Sequence, residues 1–464
     1  MMRLGLLQCW GIMSASLIAT GQPCRLEVVE QGSGWPVPLV ELRTTHHSSF
    51  VTDNAGVIAL DTPELMGRET YFHISSDGYE VAADGFGYRG LRLTPASGKN
   101  QRIEVTRTMI AKRLGRLTGA GLFAESQRTG RELDWKESGI FGCDSVQTVT
   151  HRDRRYWLWG DTTLPNYPLG LFDSSGATSA VHPLSSFEPP VRLSLDYFRD
   201  ERGRPRGITS MPGTGPTWAT ALISVPDRTG TPRLVCSYMK VRNFLEDYEW
   251  GLGLWNETNS KFDRLKVLWT KSEANPKPPP LPRGHAVRWT EPGGKAWVLF
   301  AHPFPTLRCP ATFEAWQDPA AWESLTPPRT LEIAGSQETL RPHDGVHSGG
   351  IGWHPWRQRW VGIFLQTGGK PSPLGELWYA EADAPSGPWG RAVKVLTHQN
   401  YTFYNPCLHL EFSPASSPVL LFEGTYTREF SGNPKSTPRY DYNQILYRLD
   451  LDDPRLQPAQ TPAK

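Results

Sequence analysis

The run GCDSVQTVTHRDRRYWLWGDT, residues 142–162, decides the fold, because it has the pattern of one tight β-hairpin. Its first nine residues are small or suited to a strand, and its last seven alternate aromatic and aliphatic side chains before the closing Gly-Asp-Thr. The charged run between them predicts a two-residue turn, at either Arg152-Asp153 or Asp153-Arg154. With either turn the two strands pair antiparallel along their length.

Two carboxylates lie at the open end of this predicted hairpin, Asp144 and Asp161. Either two-residue turn places Asp144 opposite Asp161 or Thr163, so the two acids share one face. Opposed or diagonal Cβ atoms lie roughly 5–8 Å apart, the separation that two carboxylates need to act together on a glycosidic bond. A three-residue loop would place them on opposite faces. Because Asp144 precedes its strand and Asp161 ends the partner strand, we expect Asp161 to be the more buried.

Length and composition indicate an all-β protein of two domains. The 464 residues include 18 Trp, 15 Tyr and 18 Phe beside 44 Gly and 41 Pro, which is typical of many short strands joined by turns. Such aromatic content is also typical of carbohydrate-active proteins. Lysine plus arginine number 49 against 47 aspartate plus glutamate, and no basic run is interleaved with aromatic residues. We therefore expect a carbohydrate partner and no nucleic acid.

The first 21 residues have the pattern of a secretory signal peptide, with Arg3, an apolar run and a small-residue exit at Gly21. We expect an exported protein, periplasmic or extracellular, that is monomeric and has no integral membrane segment after signal cleavage. A membrane anchor is the alternative. The five later cysteines show no paired spacing, so neither a disulfide framework nor a zinc site is predicted. Cys143 is predicted to be a buried thiol rather than a nucleophile.

Residues 22–115 have the period-two pattern of a small β-sandwich. Short strands are separated by turn motifs, among them TDNAG at 52–56 and SDGY at 76–79. On these motifs the segment resembles the transthyretin-like, carboxypeptidase-regulatory-like β-sandwich, and the resemblance implies an accessory module without chemistry. We expect a linker over 116–132 and a disordered tail over 457–464.

Residues 133–456 repeat one pattern five times, a first strand rich in small residues, a turn and a second strand of aromatic and aliphatic residues. The five predicted hairpins are 144–162, 218–238, 285–300, 349–364 and 405–422. Third strands are predicted at 250–255, 376–380 and 444–449. Four-stranded units repeating in this way indicate a β-propeller. The predicted fold class is therefore all-β, a five-bladed β-propeller with an N-terminal β-sandwich; a pair of stacked sandwiches is the alternative.

The first residues of the five repeats are expected to converge, because the innermost strands of a propeller begin at one rim of its channel. The predicted site has Asp144 and Asp161 as catalytic residues and, as substrate-binding residues, Lys240, Arg242, His285, His343, Asp344, His347, Tyr404, Asn405 and Glu423. Such a pocket suits a sugar. Two like charges in a funnel push their pKa values apart, so we predict Asp161 as the acid and Asp144 as the base or nucleophile. A strand-ending Asx turn at Asp161 with Asp144 as a cap is the structural alternative.

The motifs G-x-D at 142–144 and W-G-D-T at 159–162 resemble the first blade of a five-bladed propeller domain, the domain of unknown function 4185. Part of that domain is glycoside hydrolase family 183, endo-acting D-arabinanases. The resemblance implies that Asp144 and Asp161 are the catalytic pair of a secreted glycoside hydrolase. The outer-strand run at 377–389 resembles the wider group of arabinanase and xylosidase propellers. Ser-Val-Gln replaces the usual glycine-rich run after the first aspartate, so the arabinan substrate does not carry over.

No cofactor and no metal site are predicted. The loop 341–347 holds two histidines and an aspartate but is more typical of a hydrogen-bonding turn. A structural calcium ion at the channel stays an open alternative, although the sequence has no calcium-binding loop motif. The aromatic loop around 426–443 either stacks on sugar, caps the funnel or is only structural. Two other functions stay open. One is a carbohydrate-binding or scaffold propeller without turnover, and the other is a polysaccharide lyase with a His or Tyr base and a neutralising cation.

Overall fold

The structure is a computed structural model, and it describes residues 21–171, 173–243 and 245–460. The predicted signal peptide, except for Gly21, and the last four residues lie outside the described part of the chain. Nearly all regular structure in the described part is β-strand, with two short α-helices and two 3-10 segments. None of these helices has the length and apolar character needed to cross a bilayer.

Two four-stranded sheets occupy residues 24–107, and they share one hydrophobic core. Their strands are β1 Cys24–Glu30, β2 Glu41–Thr44, β3 Ser49–Val51, β4 Val57–Leu60, β5 Thr70–Ser75, β6 Tyr79–Glu80, β7 Gly90–Leu93 and β8 Asn100–Arg107. One sheet has the order β4-β1-β8-β6 and the other β3-β2-β5-β7. The core takes fully buried side chains from both sheets, such as Leu26 and Phe72, as the alternating pattern of the sequence predicts.

The next strand, β9 (Lys112–Arg116), leaves these sheets, although the predicted boundary of the N-terminal domain was residue 115. It pairs antiparallel with a strand near the end of the chain, with Ile445 opposite Arg116. Packing explains this difference, because the buried Leu114 shares a core with the buried Leu446. The predicted linker that follows contains helix α1 (Ala124–Arg128).

Five four-stranded antiparallel sheets make up the rest of the described chain. The first contains β11 Gln147–His151, β12 Arg154–Leu158, β15 Gly176–Ser179 and β16 Asp196–Tyr197, and beside it lie β10 Gly142–Cys143, β13 Thr162–Leu164 and β14 Tyr167–Leu171. The second contains β17 Thr217–Pro226, β18 Pro232–Arg242, β19 Glu246–Asn256 and β20 Lys261–Thr270. The third contains β21 His285–Thr290, β22 Ala296–Ala301, β23 Pro305–Pro310 and β24 Glu323–Ser324, with α2 Phe313–Trp316 and a 3-10 turn at Pro319–Ala321.

The last two sheets follow a short ribbon of β25 Leu331–Glu332 and β26 Thr339–Leu340. The fourth contains β27 Val346–His354, β28 Arg359–Gln366, β29 Leu377–Ala382 and β30 Val393–Leu396. The fifth contains β31 Thr402–Leu408, β32 Val419–Thr427 and β33 Asn443–Asp450, and β9 completes it as the fourth strand. A 3-10 segment, Pro454–Gln460, ends the described chain; its Leu456 and Ala459 are buried, so the predicted disordered tail over 457–464 is ordered as far as residue 460.

The predicted first hairpin is confirmed, with Arg152-Asp153 as its two-residue turn, because His151 pairs with Arg154. Arg152, the first central residue of the turn, has a φ of 55°, the positive value that both primed types of hairpin turn have at this position. The hairpins predicted for the other four repeats match β17–β18, β21–β22, β27–β28 and β31–β32, and the predicted third strands match β19, β29 and β33.

The first strands of successive sheets contact one another in chain order. β11 contacts β17, β17 contacts β21, β21 contacts β27, and β27 contacts β31. The last step returns to the first sheet, where Tyr404 and Asn405 of β31 hydrogen-bond to Asp144 and Ser145, just before β11. The starts of the first and last sheets are therefore held directly together.

A residue with positive φ lies at or near the start of the first strand in all five sheets. These residues are Ser145 (54°), Ala221 (53°), Gly284 (73°), Gly349 (153°) and Asn405 (50°). Three of them donate their backbone N–H to a neighbouring sheet: Ser145 to Thr425 Oγ1 over 3.0 Å, Ala221 to Gly284 O over 2.9 Å and Asn405 to Ser348 Oγ over 3.2 Å. A local break in strand pairing thus supplies the donor that joins one sheet to the next.

Arg113 of β9 joins the N-terminal sheets to the fifth sheet. Its guanidinium is buried and bonds only to uncharged acceptors, including Tyr447 Oη at 3.1 Å, Ser76 Oγ at 2.8 Å and Pro38 O at 3.1 Å. It also lies over the rings of Tyr79 and Tyr447. The two parts of the molecule therefore meet through a buried polar junction as well as through apolar packing.

Candidate active site

The two aspartates predicted to act together lie opposite each other where the first hairpin opens. Backbone hydrogen bonds join the strands at this point: Asp144 N donates to Asp161 O over 3.3 Å, and Gly160 N donates to Asp144 O over 2.8 Å. Directly opposed residues of an antiparallel pair project their side chains to one face. Both residues are partly exposed, so the two carboxyl groups share a face that solvent reaches.

The carboxyl group of Asp144 rests against Gly160. A Cβ atom at position 160 would lie 2.2 Å from Asp144 Oδ1, so only glycine leaves room for it. Oδ1 is enclosed there without a hydrogen-bond partner among the described residues, and Oδ2 accepts a 2.6 Å bond from the hydroxyl of Tyr404. The sequence predicted Asp161 to be the more buried acid, whereas the protein encloses Asp144 more completely.

Asp161 is held from the second sheet. Trp218 of β17 donates its indole N–H to Asp161 Oδ1 over 2.8 Å. Burial, together with the negative charges of Asp144 and Asp173, raises the pKa of Asp161 to about 7, and the hydrogen bond from Trp218 opposes the rise. A carboxyl group with this pKa holds a proton about half of the time at neutral pH, so it can act as a proton donor.

Asp144 faces hydroxyl donors instead. Burial, the largest cause, raises its pKa, and the nearby hydroxyl groups of Tyr404, Tyr442 and Ser145 oppose this rise. Burial and the charge of Asp144 raise the pKa of both tyrosines well above the usual range, so both keep their protons. Asp144 thus has several hydroxyl groups around it that favour its ionised form, whereas Asp161 has the indole of Trp218 alone.

Two predicted substrate-binding residues, Tyr404 and Asn405, lie beside this pair. They stand at a bulge in β31, where the pairing with β32 shifts after Tyr404. Asn405 Nδ2 donates to Ser145 Oγ over 2.7 Å, as Tyr404 does to Asp144. Both side chains therefore hold the first-sheet residues that carry the site.

His285 and His347 belong to a second group, which also includes His302 and Arg283. Burial and the neighbouring histidines His302 and His409 lower the pKa of His285 to about 4, and burial with His347 and Arg283 lowers that of His302 to about 4. Water nevertheless reaches the rings of His302 and His347. The lowered pKa values leave the imidazole rings of this group neutral at pH 7.

Lys240 and Arg242 are placed away from the two aspartates. Lys240 is buried, and its Nζ donates to two backbone carbonyls at 3.0 Å and to Thr217 Oγ1 at 3.2 Å. Arg242 lies 3.6 Å from Glu246 and over the ring of Tyr248. Both cations thus have partners within their own sheet or the loop before it.

His343, Asp344 and Glu423 are also placed apart from the pair. His343 and Asp344 are exposed, and Asp344 forms an ion pair with Arg341 at 2.9 Å. Glu423 was predicted to match Asp161 in position, but it lies in the middle of β32, fully buried, where His409 Nε2 bonds to its Oε1 over 2.7 Å. It is therefore a core residue and not part of the open face.

Neither a metal cluster nor a reactive thiol is found in the described ranges. No three His, Cys, Asp or Glu side chains there are grouped so as to hold a metal ion. The five cysteines of these ranges are unpaired and buried. Burial raises the pKa of Cys143 well above its usual range, so its thiol is protonated and inert.

No protein-family model and no curated protein matches the chain. Among solved structures it is similar to an exo-β-1,3-galactanase of Phanerochaete chrysosporium with β-1,3-galactotriose (10% identity, 68% of this chain and 62% of that chain, TM-score 0.40). It is also similar to an exo-1,5-α-L-arabinanase from a bovine ruminal metagenomic library (9%, 68% and 94%, 0.38) and to a GH43 endo-arabinanase of Bacillus licheniformis (9%, 67% and 94%, 0.35). The match spans under two thirds of the galactanase, and similarity at this level does not define the substrate.

Four residues of the site were not predicted from the sequence: Gly160, Asp173, Trp218 and Tyr442. Asp173 Oδ1 accepts the backbone N–H of Thr217 over 2.8 Å and so fixes the start of the strand that carries Trp218. Tyr442 directly precedes β33, and Gly160 lies within the quoted W-G-D-T motif. The glycine before the aspartate was one signal, Trp218 begins the predicted hairpin 218–238, and Tyr442 lies in the aromatic loop around 426–443 for which sugar stacking was one alternative. No sequence signal pointed to Asp173.

Proposed function

We propose that the protein is a glycoside hydrolase that acts on a polysaccharide or oligosaccharide, with Asp161 as the acid and Asp144 as the base or nucleophile. The observation that carries the proposal is the pairing of Asp144 and Asp161 on one open face in contrasting surroundings. Glycoside hydrolysis needs one carboxyl group that keeps a proton and another that stays ionised.

The roles follow from what each carboxyl group contacts. Asp161, with a pKa raised to about 7 by burial and by its neighbours, is suited to protonate the leaving oxygen of the glycosidic bond. Asp144, whose Oδ2 accepts a hydrogen bond from the hydroxyl of Tyr404, is suited to attack the sugar carbon or to activate a water molecule. No step of this mechanism requires a cofactor.

We further propose that the five sheets are the blades of a propeller and that the N-terminal sheets form an accessory transthyretin-like sandwich. Contacts between successive first strands, and the return from β31 to the start of the first sheet, support the ring.

We also propose that the protein is exported after cleavage near Gly21. Sequencing the amino terminus of the secreted protein tests it, and an intact Met1 on that protein would refute it.

A screen for release of reducing ends tests the activity. The panel contains plant, algal and bacterial glycans, with arabinan and β-1,3-galactan included, and compares the unaltered protein with Asp144→Asn and Asp161→Asn. We expect release from at least one glycan and a loss of about 10³-fold or more in either variant. His46→Asn, at an exposed position between β2 and β3 of the N-terminal sheets, is the matched control and should keep full activity.

The alternatives give different results in the same screen. A binding protein would retain glycans on an affinity gel equally well in both aspartate variants and release no reducing ends. A lyase would generate ultraviolet absorbance from uronate polymers. Of its candidate cations, Lys240 is buried among backbone carbonyls and Arg242 lies 3.6 Å from Glu246. Of its candidate bases, Tyr404 donates to Asp144, whereas His285 belongs to the separate histidine group. The contacts of Lys240 and Tyr404 therefore count against a lyase.

A further inference from the structure

One exposed aromatic side chain stands next to the candidate active site. Phe430 is 63% exposed, and the centre of its ring lies 6.1 Å from that of Tyr404, with an angle of 80° between the ring planes. Tyr404 is the residue whose hydroxyl donates to Asp144 over 2.6 Å. Phe430 is thus separated from a catalytic carboxylate by a single side chain.

The backbone at Phe430 is also unusual. Its φ is 62°, a left-handed conformation that a bulky aromatic residue rarely adopts. A strained backbone persists only when its surroundings hold it in place, and such residues cluster at ligand-binding sites. Phe430 is the third residue of a β-turn that the Ser431 N–H closes on Arg428 O over 3.1 Å, and with a positive φ this position usually holds glycine or asparagine. The apolar ring is presented to solvent instead of to the core.

The loop that carries Phe430, residues 428–442, is fixed at several points. The backbone N–H of Arg428 donates to Asp441 Oδ1 over 2.7 Å, which closes the base of the loop. Tyr401 donates to the same oxygen over 2.8 Å. Ser431, the residue after Phe430, donates its hydroxyl to Arg428 O over 2.6 Å. The ring is therefore displayed on an ordered segment.

The far end of the same loop reaches the active site as well. The backbone carbonyl of Tyr442, its last residue, accepts the N–H of Cys143, next to Asp144, over 2.9 Å. One loop consequently pairs with the strand that leads to the catalytic carboxylate and places an exposed aromatic ring beside it. An exposed aromatic ring offers a flat apolar surface, and the C–H faces of sugar rings are the matching surface in glycans.

We propose that Phe430 is a stacking platform for a sugar unit next to the one whose bond is cleaved at Asp144 and Asp161. The ligand class is a chain of at least two neutral sugar rings, one at the carboxylates and one on Phe430. The inference rests on the proposed function, because it places the platform beside that catalytic pair. It makes Phe430 a specificity-determining residue that favours polymers over single glycosides.

The test uses the full-length protein with Phe430→Ala and Phe430→Trp, and with Phe86→Ala as the matched control. Phe86 is another exposed phenylalanine, 90% accessible, in the N-terminal sheets. For the panel glycan that is hydrolysed, Phe430→Ala should raise KM about tenfold more for the glycan than for the methyl glycoside of its single sugar, which places no second ring on Phe430. Phe430→Trp should restore the KM for the polymer, and Phe86→Ala should change neither value. An equal change of KM for both substrates, or none, overturns the platform.

A binding measurement separates this inference from the proposed function. In the Asp161→Asn background, isothermal titration with the panel glycans reports affinity without turnover, and the difference in fluorescence change between Phe430→Trp and its parent protein reports contact. Glycan binding that weakens about tenfold with Phe430→Ala, in a protein that hydrolyses nothing, supports the platform and refutes the hydrolase. Hydrolysis with a glycan affinity that Phe430→Ala leaves unchanged refutes the platform and supports the hydrolase.

Discussion

A glycine without chemistry of its own sets the position of one catalytic carboxylate. We predict that Gly160→Ala lowers kcat/KM by about 10²-fold while the protein stays folded, because the new methyl group would lie 2.2 Å from Asp144 Oδ1 and displace it. Gly293→Ala is the control, since a Cβ there meets nothing closer than 4.0 Å. Kinetics and thermal unfolding measured on both variants check the prediction. An active Gly160→Ala protein would show that this placement of Asp144 is not needed.

The pH dependence of hydrolysis belongs to Asp161. With a pKa raised to about 7, its loss of a proton should give kcat/KM an alkaline limb near pH 7. Trp218→Phe removes a donor that favours the ionised form, so the pKa should rise further and the limb should move to higher pH by about 0.5–1 unit. pH–rate profiles of the two proteins check this. A limb that moves to lower pH, or does not move, contradicts the assignment of the acid.

The facing aspartates could be predicted, because the length of a hairpin turn fixes which residues oppose each other. Of their partners, Tyr404 could be predicted to lie nearby, because the first strands of the repeats were expected to converge, but its bond to Asp144 could not. Trp218 lies in another sheet, and the sequence gives no register between sheets. For the same reason Glu423 was placed at the open face, although the strand buries it against His409.

At the scale of strands, the bulge at Asn405 ties three sheets together. We predict that Asn405→Val destabilises the protein by about 2–4 kcal/mol, because a β-branched residue is strained at a φ of 50° and both neighbouring contacts shift. Asn405→Gly keeps the backbone conformation and loses only the bond to Ser145, so it should cost about 1 kcal/mol. Chemical denaturation checks both variants. Equal losses would refute the role of the backbone conformation.

Strand positions followed from alternating hydrophobic residues and turn chemistry, so the hairpins of all five repeats were predictable. The bulges were not. Ser145 and Ala221 adopt positive φ without being glycine or asparagine, so no local preference marks them. The Pro after Asn405 is the exception, since proline inside a strand indicates a bulge. Conformations imposed by neighbouring sheets leave no local sequence signal.

At the scale of the molecule, Arg113 links the N-terminal sheets to the fifth sheet. We predict that Arg113→Met lowers the free energy of unfolding by about 3 kcal/mol, because it leaves buried carbonyl and hydroxyl acceptors without donors. Arg92→Met in the same sheets, where the arginine is exposed and only 3.9 Å from Glu69, should cost under about 0.5 kcal/mol. Thermal and denaturant unfolding compare the two. If Arg113→Met lowers the free energy of unfolding as little as Arg92→Met does, the junction is held by apolar packing alone.

The partner of strand β9 lies far along the chain: Arg113 of β9 donates a hydrogen bond to Tyr447 of β33, and 334 positions separate the two residues. During synthesis from the amino terminus, β9 therefore has no partner until β33 has been made, and its backbone hydrogen-bonding groups stay unpaired. Closing so long a loop gives the protein a high contact order, and such chains fold slowly. The fifth sheet is completed only after β33 has been made. A prematurely terminated polypeptide would therefore keep the edge of β9 unpaired and exposed to proteases.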